Sequence, residues 1–184
     1  MNKGVRNWSS SVLITLLVLG VSYVEVRILT YSSVGFSISF NFLLMAWYTI
    51  LFNLFKPKMD WGYFEDKPFE KEGKLYKYFG VHFYRKILVW IGWEKMYRQK
   101  NPMKANLTTL RARDYNTKES EFGHLIIAMI VFAFTVWFTK SLDEAKWLII
   151  TNLFLNIYPI IVQRYNRPRY SRVIGYRLRH HLIL

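Results

Sequence analysis

The sequence predicts an all-α integral membrane protein, a single membrane domain over residues 1–184 with about four transmembrane helices and an amphipathic helix at the cytoplasmic interface. Three observations predict it. Four apolar runs stand out, each of roughly 17 to 21 residues, or ~26–31 Å as helix, close to the thickness of a hydrocarbon core. Apolar residues make up 52% of the 184, with 7 Trp, 13 Tyr and 14 Phe, more than a soluble domain of this size covers. Lys and Arg number 26 against 12 Asp and Glu, a net charge of +14, and they flank the apolar runs instead of forming a separate basic domain. That alternation excludes a nucleic-acid-binding module and suits spans joined by positive loops.

The first run covers about 11–31, with a solid core from Val12 to Val24 and with Glu25 and Arg27 near its far end. Its basic N-terminal lead resembles a signal peptide, but no small-x-small cleavage site follows clearly, so a retained anchor is expected. The second run covers about 36–55 and ends at Lys56-Pro57, the third 122–139 and the fourth 146–163. The shorter runs need snorkelling flanks to reach across. Trp47, Trp137 and Trp147 lie near or within run ends, where indoles favour the interface. The runs are long and do not alternate, which favours helices over strands.

Four crossings put both termini and the middle stretch on one side. That side holds all the basic residues except Arg27, Lys140 and Lys146, so the positive-inside rule places it in the cytoplasm. The middle stretch is more than a linker. Leu75, Phe79, Phe83, Ile87 and Trp90 recur at helical spacing among Lys74, Lys77, Arg85 and Lys86, an amphipathic pattern suited to the membrane surface within an interfacial region over 66–100. Residues 101–117 read as a polar connector.

Three constellations bear on chemistry. Glu121 and His124 are three residues apart at the start of the third run, which puts them on one helical face. A carboxylate beside an imidazole suits a general base, and the bland reading is a dipole-favoured Glu with an interfacial His. A di-iron bundle needs two such pairs plus further carboxylates, and only one is present. Asn152, Asn156 and Gln163 share a face of the fourth run, and Pro159 frees backbone carbonyls there. These amides either hold helices together or line a site. Beyond that run, Gln163-Arg164-Tyr165-Asn166-Arg167-Pro168-Arg169 offers three guanidinium forks suited to phosphate, or else a basic tail drawn to anionic lipid. The rest of the tail, Arg172 to His181, reads as such a surface tail. Cysteine is absent, which excludes disulfides and thiolate chemistry. There is no Gly-rich phosphate loop, no Gly-x-Ser-x-Gly elbow and no metal-spaced His pair, so no metal site is expected.

The stretches Phe69 to Tyr76 and Phe83 to Leu88, the Glu121-x-x-His124 pair and Ile160 to Arg169, in that order, resemble the glycosyl-4,4'-diaponeurosporenoate acyltransferases, small bacterial membrane enzymes of the carotenoid pathway. The resemblance covers about 66–169, and the N-terminal pair of crossings is fuller than the family pattern. It implies transfer of a fatty acyl chain to a sugar hydroxyl of a membrane-embedded glycosyl carotenoid. The donor is then acyl-coenzyme A or an acyl-carrier protein, with no bound cofactor. On this reading His124 takes the hydroxyl proton, Glu121 orients the imidazole, and Arg164, Arg167 and Arg169 hold donor phosphates. Asn166 or Tyr165 donates to the developing oxyanion, and Asn152, Asn156 and Gln163 line the substrate site. The competing readings are a non-catalytic subunit that binds anionic lipid or a protein partner through its basic face, and another small membrane transferase such as a methyltransferase.

Overall fold

The computed structural model describes residues 2–93, 95–96 and 106–181, and among these the chain is helical with no strand. The long helices are α1 (Lys3–Leu29), α2 (Val34–Phe55), α3 (Val81–Trp90), α4 (Leu107–Phe138), α5 (Leu142–Asn152) and α6 (Tyr158–His181), with a π-helical turn, Leu153–Ile157, joining α5 to α6. Three 3₁₀ turns lie between α2 and α3, at Gly62–Phe64, Pro68–Glu70 and Lys74–Phe79. Four helices are long and apolar enough to cross a membrane: Gly4–Leu29, Val34–Phe55, Leu107–Phe138 and the run Leu142–Arg179.

Local chemistry sets the helix starts. Asn2 accepts from the Gly4 amide, Ser33 from Phe36 at 3.1 Å and Ser141 from Glu144 at 3.3 Å, each satisfying an amide that the first turn leaves open. Asp143 and Glu144 add negative charge to the first turn of α5, where the helix dipole favours it.

The chain divides into two compact units, residues 1–58 with 123–157 and residues 59–122 with 158–184. In the first, α1 and α2 are tied by Trp47 Nε1 donating to Thr15 Oγ1 at 3.0 Å, by Asn7 Nδ2 donating to the Leu54 carbonyl at 2.9 Å, and by Ser39 donating to Glu25. Trp47 therefore spends its indole N–H on a neighbouring helix. The apolar core of this unit is Phe36, Phe40, Leu44, Ile127, Val131 and Leu148. Gly123 matters to that packing, because a Cβ there would overlap the Tyr48 ring. Leu13, Leu16 and Leu17 of α1 stay exposed, as suits a helix solvated by lipid.

The second unit is built around Val81, Tyr84, Val162 and Tyr165, with Tyr84 stacked on Tyr158 at 5.0 Å. Here two expectations are corrected. The apolar stripe from Leu75 to Trp90 is not one helix. Gly80, at φ 72°, separates a 3₁₀ turn from α3, and α3 turns Val81 and Tyr84 inward while Phe83 and Trp90 stay exposed. The connector expected over 101–117 is helical from Leu107 on, and 101–105 lie outside the described residues. Asn106 Oδ1 accepts from the Thr109 amide at 2.8 Å, Lys118 pairs with Asp114 at 2.8 Å, and no Gly or Pro lies between Leu107 and Phe122. The tail beyond residue 163 continues as α6 through Pro168 to His181. The end of the interfacial region, 97–100, lies outside the described residues.

Candidate active site

In the second unit, α4 supplies Glu121, α6 supplies Arg164 and Arg167 one turn apart, and the turn Pro68–Glu70 supplies Glu70. Glu121 is fully buried. Arg164 Nε donates to its Oε1 at 2.6 Å, and Arg167 Nη2 pairs with its Oε2. Arg164 Nη1 lies 3.3 Å from Glu70 Oε1, and Nη2 donates to the Tyr63 carbonyl at 2.8 Å. Arg167 Nη1 donates to the Phe64 carbonyl at 3.3 Å. Both guanidiniums lie over aromatic rings, Arg164 at 4.6 Å from Tyr63 and Arg167 at 5.3 Å from Phe64. Glu70 also accepts from the Lys67 amide at 2.7 Å and from the Tyr76 hydroxyl. Burial, and then the bond to Glu70, hold that phenol above its ordinary range, so Tyr76 stays a donor.

Two carboxylates and two guanidiniums thus close on one another. The expectation that Arg164 and Arg167 present open charge to a phosphate is corrected. A fully buried carboxylate demands compensation, and these two arginines supply it. Arg167 is itself only 2% exposed. The expectation that Glu121 orients His124 is corrected on the same ground, since arginines take both of its oxygens. Tyr165 packs in the core of this unit with its hydroxyl bonded by Arg169, whose guanidinium lies 4.0 Å from the ring centroid. Arg169 itself is exposed and Asn166 half-buried. Gln163 Nε2 donates to Ser120 Oγ at 3.2 Å.

In the first unit a chain of neutral groups surrounds His124. Asn41 Nδ2 donates to the Ser37 carbonyl at 2.7 Å, which turns its Oδ1 toward Asn156. Asn152 Nδ2 donates to the Ala128 carbonyl at 3.1 Å, which likewise turns its Oδ1 toward Asn156. Two backbone carbonyls, which can only accept, therefore fix both amides. Asn156 Nδ2 donates to both oxygens, at 2.6 Å and 2.9 Å, so its own Oδ1 is the acceptor facing His124 Nδ1 at 3.3 Å. The proton then sits on Nδ1, and the neutral ring carries its basic lone pair on Nε2. Pro159, lacking an N–H, cannot donate to the Leu155 carbonyl from the next turn, and the π turn Leu153–Ile157 lies at that point.

Spacing singled out His124 in one constellation and Asn152 and Asn156 in another, and hydrogen bonds run from Asn152 through Asn156 to His124. It did not find Asn41, though a lone amide in the middle of an apolar span is itself a signal. It also missed Glu70 and Tyr76, which lie in a polar stretch where nothing in the pattern marks one carboxylate or phenol above the others. No described group of three or more His, Asp or Glu side chains has the geometry to hold a metal ion.

Residues 60–176 match the sequence profile of a family described as glycosyl-4,4'-diaponeurosporenoate acyltransferase. The match spans both clusters, apart from Asn41, and leaves α1 and α2 outside it. No curated protein and no solved structure matches the chain.

Proposed function

The chain belongs to the glycosyl-4,4'-diaponeurosporenoate acyltransferase family and is a membrane acyltransferase of carotenoid biosynthesis; from that premise we propose that it esterifies a sugar hydroxyl of a membrane-embedded glycosyl carotenoid, using His124 as the base. The observation that carries the base assignment is the hydrogen-bond chain from Asn41 and Asn152 through Asn156 to His124 Nδ1. It plays the part given to a carboxylate in many catalytic imidazoles, fixing tautomer and ring orientation with neutral groups. That choice fits a site in hydrocarbon, where an added charge is costly.

In the reaction, His124 Nε2 takes the proton from the acceptor hydroxyl as its oxygen attacks the thioester carbonyl. The carbon–sulfur bond of the tetrahedral adduct breaks, an ester remains on the sugar, and the thiolate leaves with the proton that the imidazolium returns. No nucleophile on the chain is needed. The donor is acyl-coenzyme A or an acyl-carrier protein. We assign the attraction of its phosphorylated end to exposed cations such as Arg169 and Arg172, while Arg164 and Arg167 brace the frame that presents them. The basic side, with both termini, faces the cytoplasm.

Acyl transfer to a glycosyl carotenoid, measured with His124→Ala and His124→Gln in lipid nanodiscs, tests the reading. Turnover is expected to fall about 10²- to 10⁴-fold in both, the range a positioned base supplies. Near-normal turnover in either variant removes His124 from the chemistry.

A further inference from the structure

Helix α3 has an outer face that the mechanism above does not use. The helix is two-sided. Val81, Tyr84 and Leu88 pack with Val162 and Tyr165 of α6. Phe83, Lys86 and Trp90 repeat the same i, i+3, i+7 spacing on the opposite side and are exposed. We propose that this outer face docks on a bilayer leaflet and selects anionic phospholipid head groups.

Depth is the first argument. α3 meets α6 at Val162 and Tyr165, which bracket the end of the fourth apolar run at residue 163. It therefore lies beside the point where hydrocarbon gives way to water. At 10 residues, or ~15 Å of helix, it is too short to cross a core of ~30 Å. Trp90 is nevertheless 86% exposed and Phe83 66%. Two large aromatic side chains on one outward face, at the end of a span, suit the head-group layer, where such rings are favoured.

Charge selects the head group. From Lys74 to Trp93 the chain carries Lys74, Lys77, Arg85 and Lys86 and no Asp or Glu. None of these four cations is ion-paired among the described residues. Arg164 and Arg167, by contrast, are spent on Glu70 and Glu121. Lys86 stands between the two aromatics on the outer face, so rings that enter the leaflet bring its ammonium to the phosphates. A zwitterionic head group offsets that attraction with its own cation, and an anionic one does not. An acidic protein would answer the charge, but it leaves unexplained why the aromatic face lies at the level where a span ends.

The chain has no cysteine, so one fluorophore can be attached at Phe83→Cys or, in a second variant, at Trp90→Cys. With the full chain in nanodiscs, quenching by phosphatidylglycerol bearing a nitroxide near the head group is compared with quenching by phosphatidylcholine bearing the same nitroxide. Both lipids are expected to quench both positions, phosphatidylglycerol more strongly. Lys86→Gln is expected to lower that preference about fivefold, the equivalent of the ~1 kcal/mol that one lysine contributes at an anionic surface. Four results overturn the proposal: no quenching by either lipid, equal quenching by both, an unchanged preference in Lys86→Gln, or loss of quenching when an acyl-carrier protein is added. The readout needs no turnover, so it stands apart from the role given to His124.

Discussion

Around Asn156, four side chains without formal charge satisfy one another through amide and imidazole hydrogen bonds, whereas around Glu121 two carboxylates and two guanidiniums bury full charges against each other. Asn156 lies in the π turn between two helices, whereas Glu121, Arg164 and Arg167 lie within α-helices and Glu70 on a 3₁₀ turn. The difference lies in what each can release. The neutral chain ends on an imidazole whose second nitrogen keeps its lone pair, so it can accept a proton and return it. Both oxygens of Glu121 and all three nitrogens of each guanidinium have partners, which makes the charged cluster a brace. Polar residues of similar type along the sequence therefore divide into a group poised to react and a group that holds.

The largest expected effect breaks the brace. Glu121→Gln removes the carboxylate that Arg164 and Arg167 share and leaves Arg167 buried without a counter-charge among the described residues. Removing one partner of a buried ion pair costs about 3–5 kcal/mol. Thermal unfolding in detergent is expected to show a transition lowered by many degrees, or no folded protein at all. If Glu121→Gln melts like the wild type, the cluster is not a brace, and its arginines are available to substrate after all.

A smaller effect is expected in the neutral chain. Asn156→Leu strands the oxygens of Asn41 and Asn152 and leaves Nδ1 of His124 without its acceptor. Hydrogen bonds between helices in membranes contribute only about 0.6 kcal/mol each on average, so the loss in stability should be modest, ~1–2 kcal/mol. Turnover should suffer more, by about 10- to 100-fold, because the ring loses its fixed tautomer while the base remains. The two readouts together sharpen the contrast, since Glu121→Gln should act through stability and Asn156→Leu through rate. A variant at Asn156 that unfolds as readily as Glu121→Gln would erase it.

Much of this division was legible in the sequence, and the rest was not, for physical reasons. The four spans follow from run length and hydropathy, which depend on composition alone, and all four are present. Their ends were less legible. The third span starts at Leu107 because its polar first half, free of Gly and Pro up to Phe122, extends as readily as an apolar one, and hydropathy cannot see it. His124 and its amides were found because polar groups are rare in apolar runs and so are conspicuous. The pairing of Glu121 was misread because three-residue spacing says which residues share a face but not which neighbour that face meets. Arg164 and Arg167 come from a helix more than forty positions along the chain, and their claim on Glu121 outweighs that of a nearby uncharged imidazole.

The smallest expected effect lies at the rim of the charged unit, where compensation stops. Partial burial, and then the neighbouring Glu70, push the Asp66 carboxyl above its ordinary range against the opposing pull of Arg167 and Arg164. An acid raised in this way favours its protonated form in the folded protein. Its penalty is absent at pH values below its unfolded titration and fully present once pH has risen through the folded one. Asp66→Asn should therefore melt slightly higher than the wild type at pH 7, and the gap should close as pH falls toward the carboxylate range. Melting curves of both proteins across that pH range check it. A gap that is absent at pH 7, or that widens in acid, would mean that Asp66 is compensated like Glu70 and that the charged unit is closed to its edge.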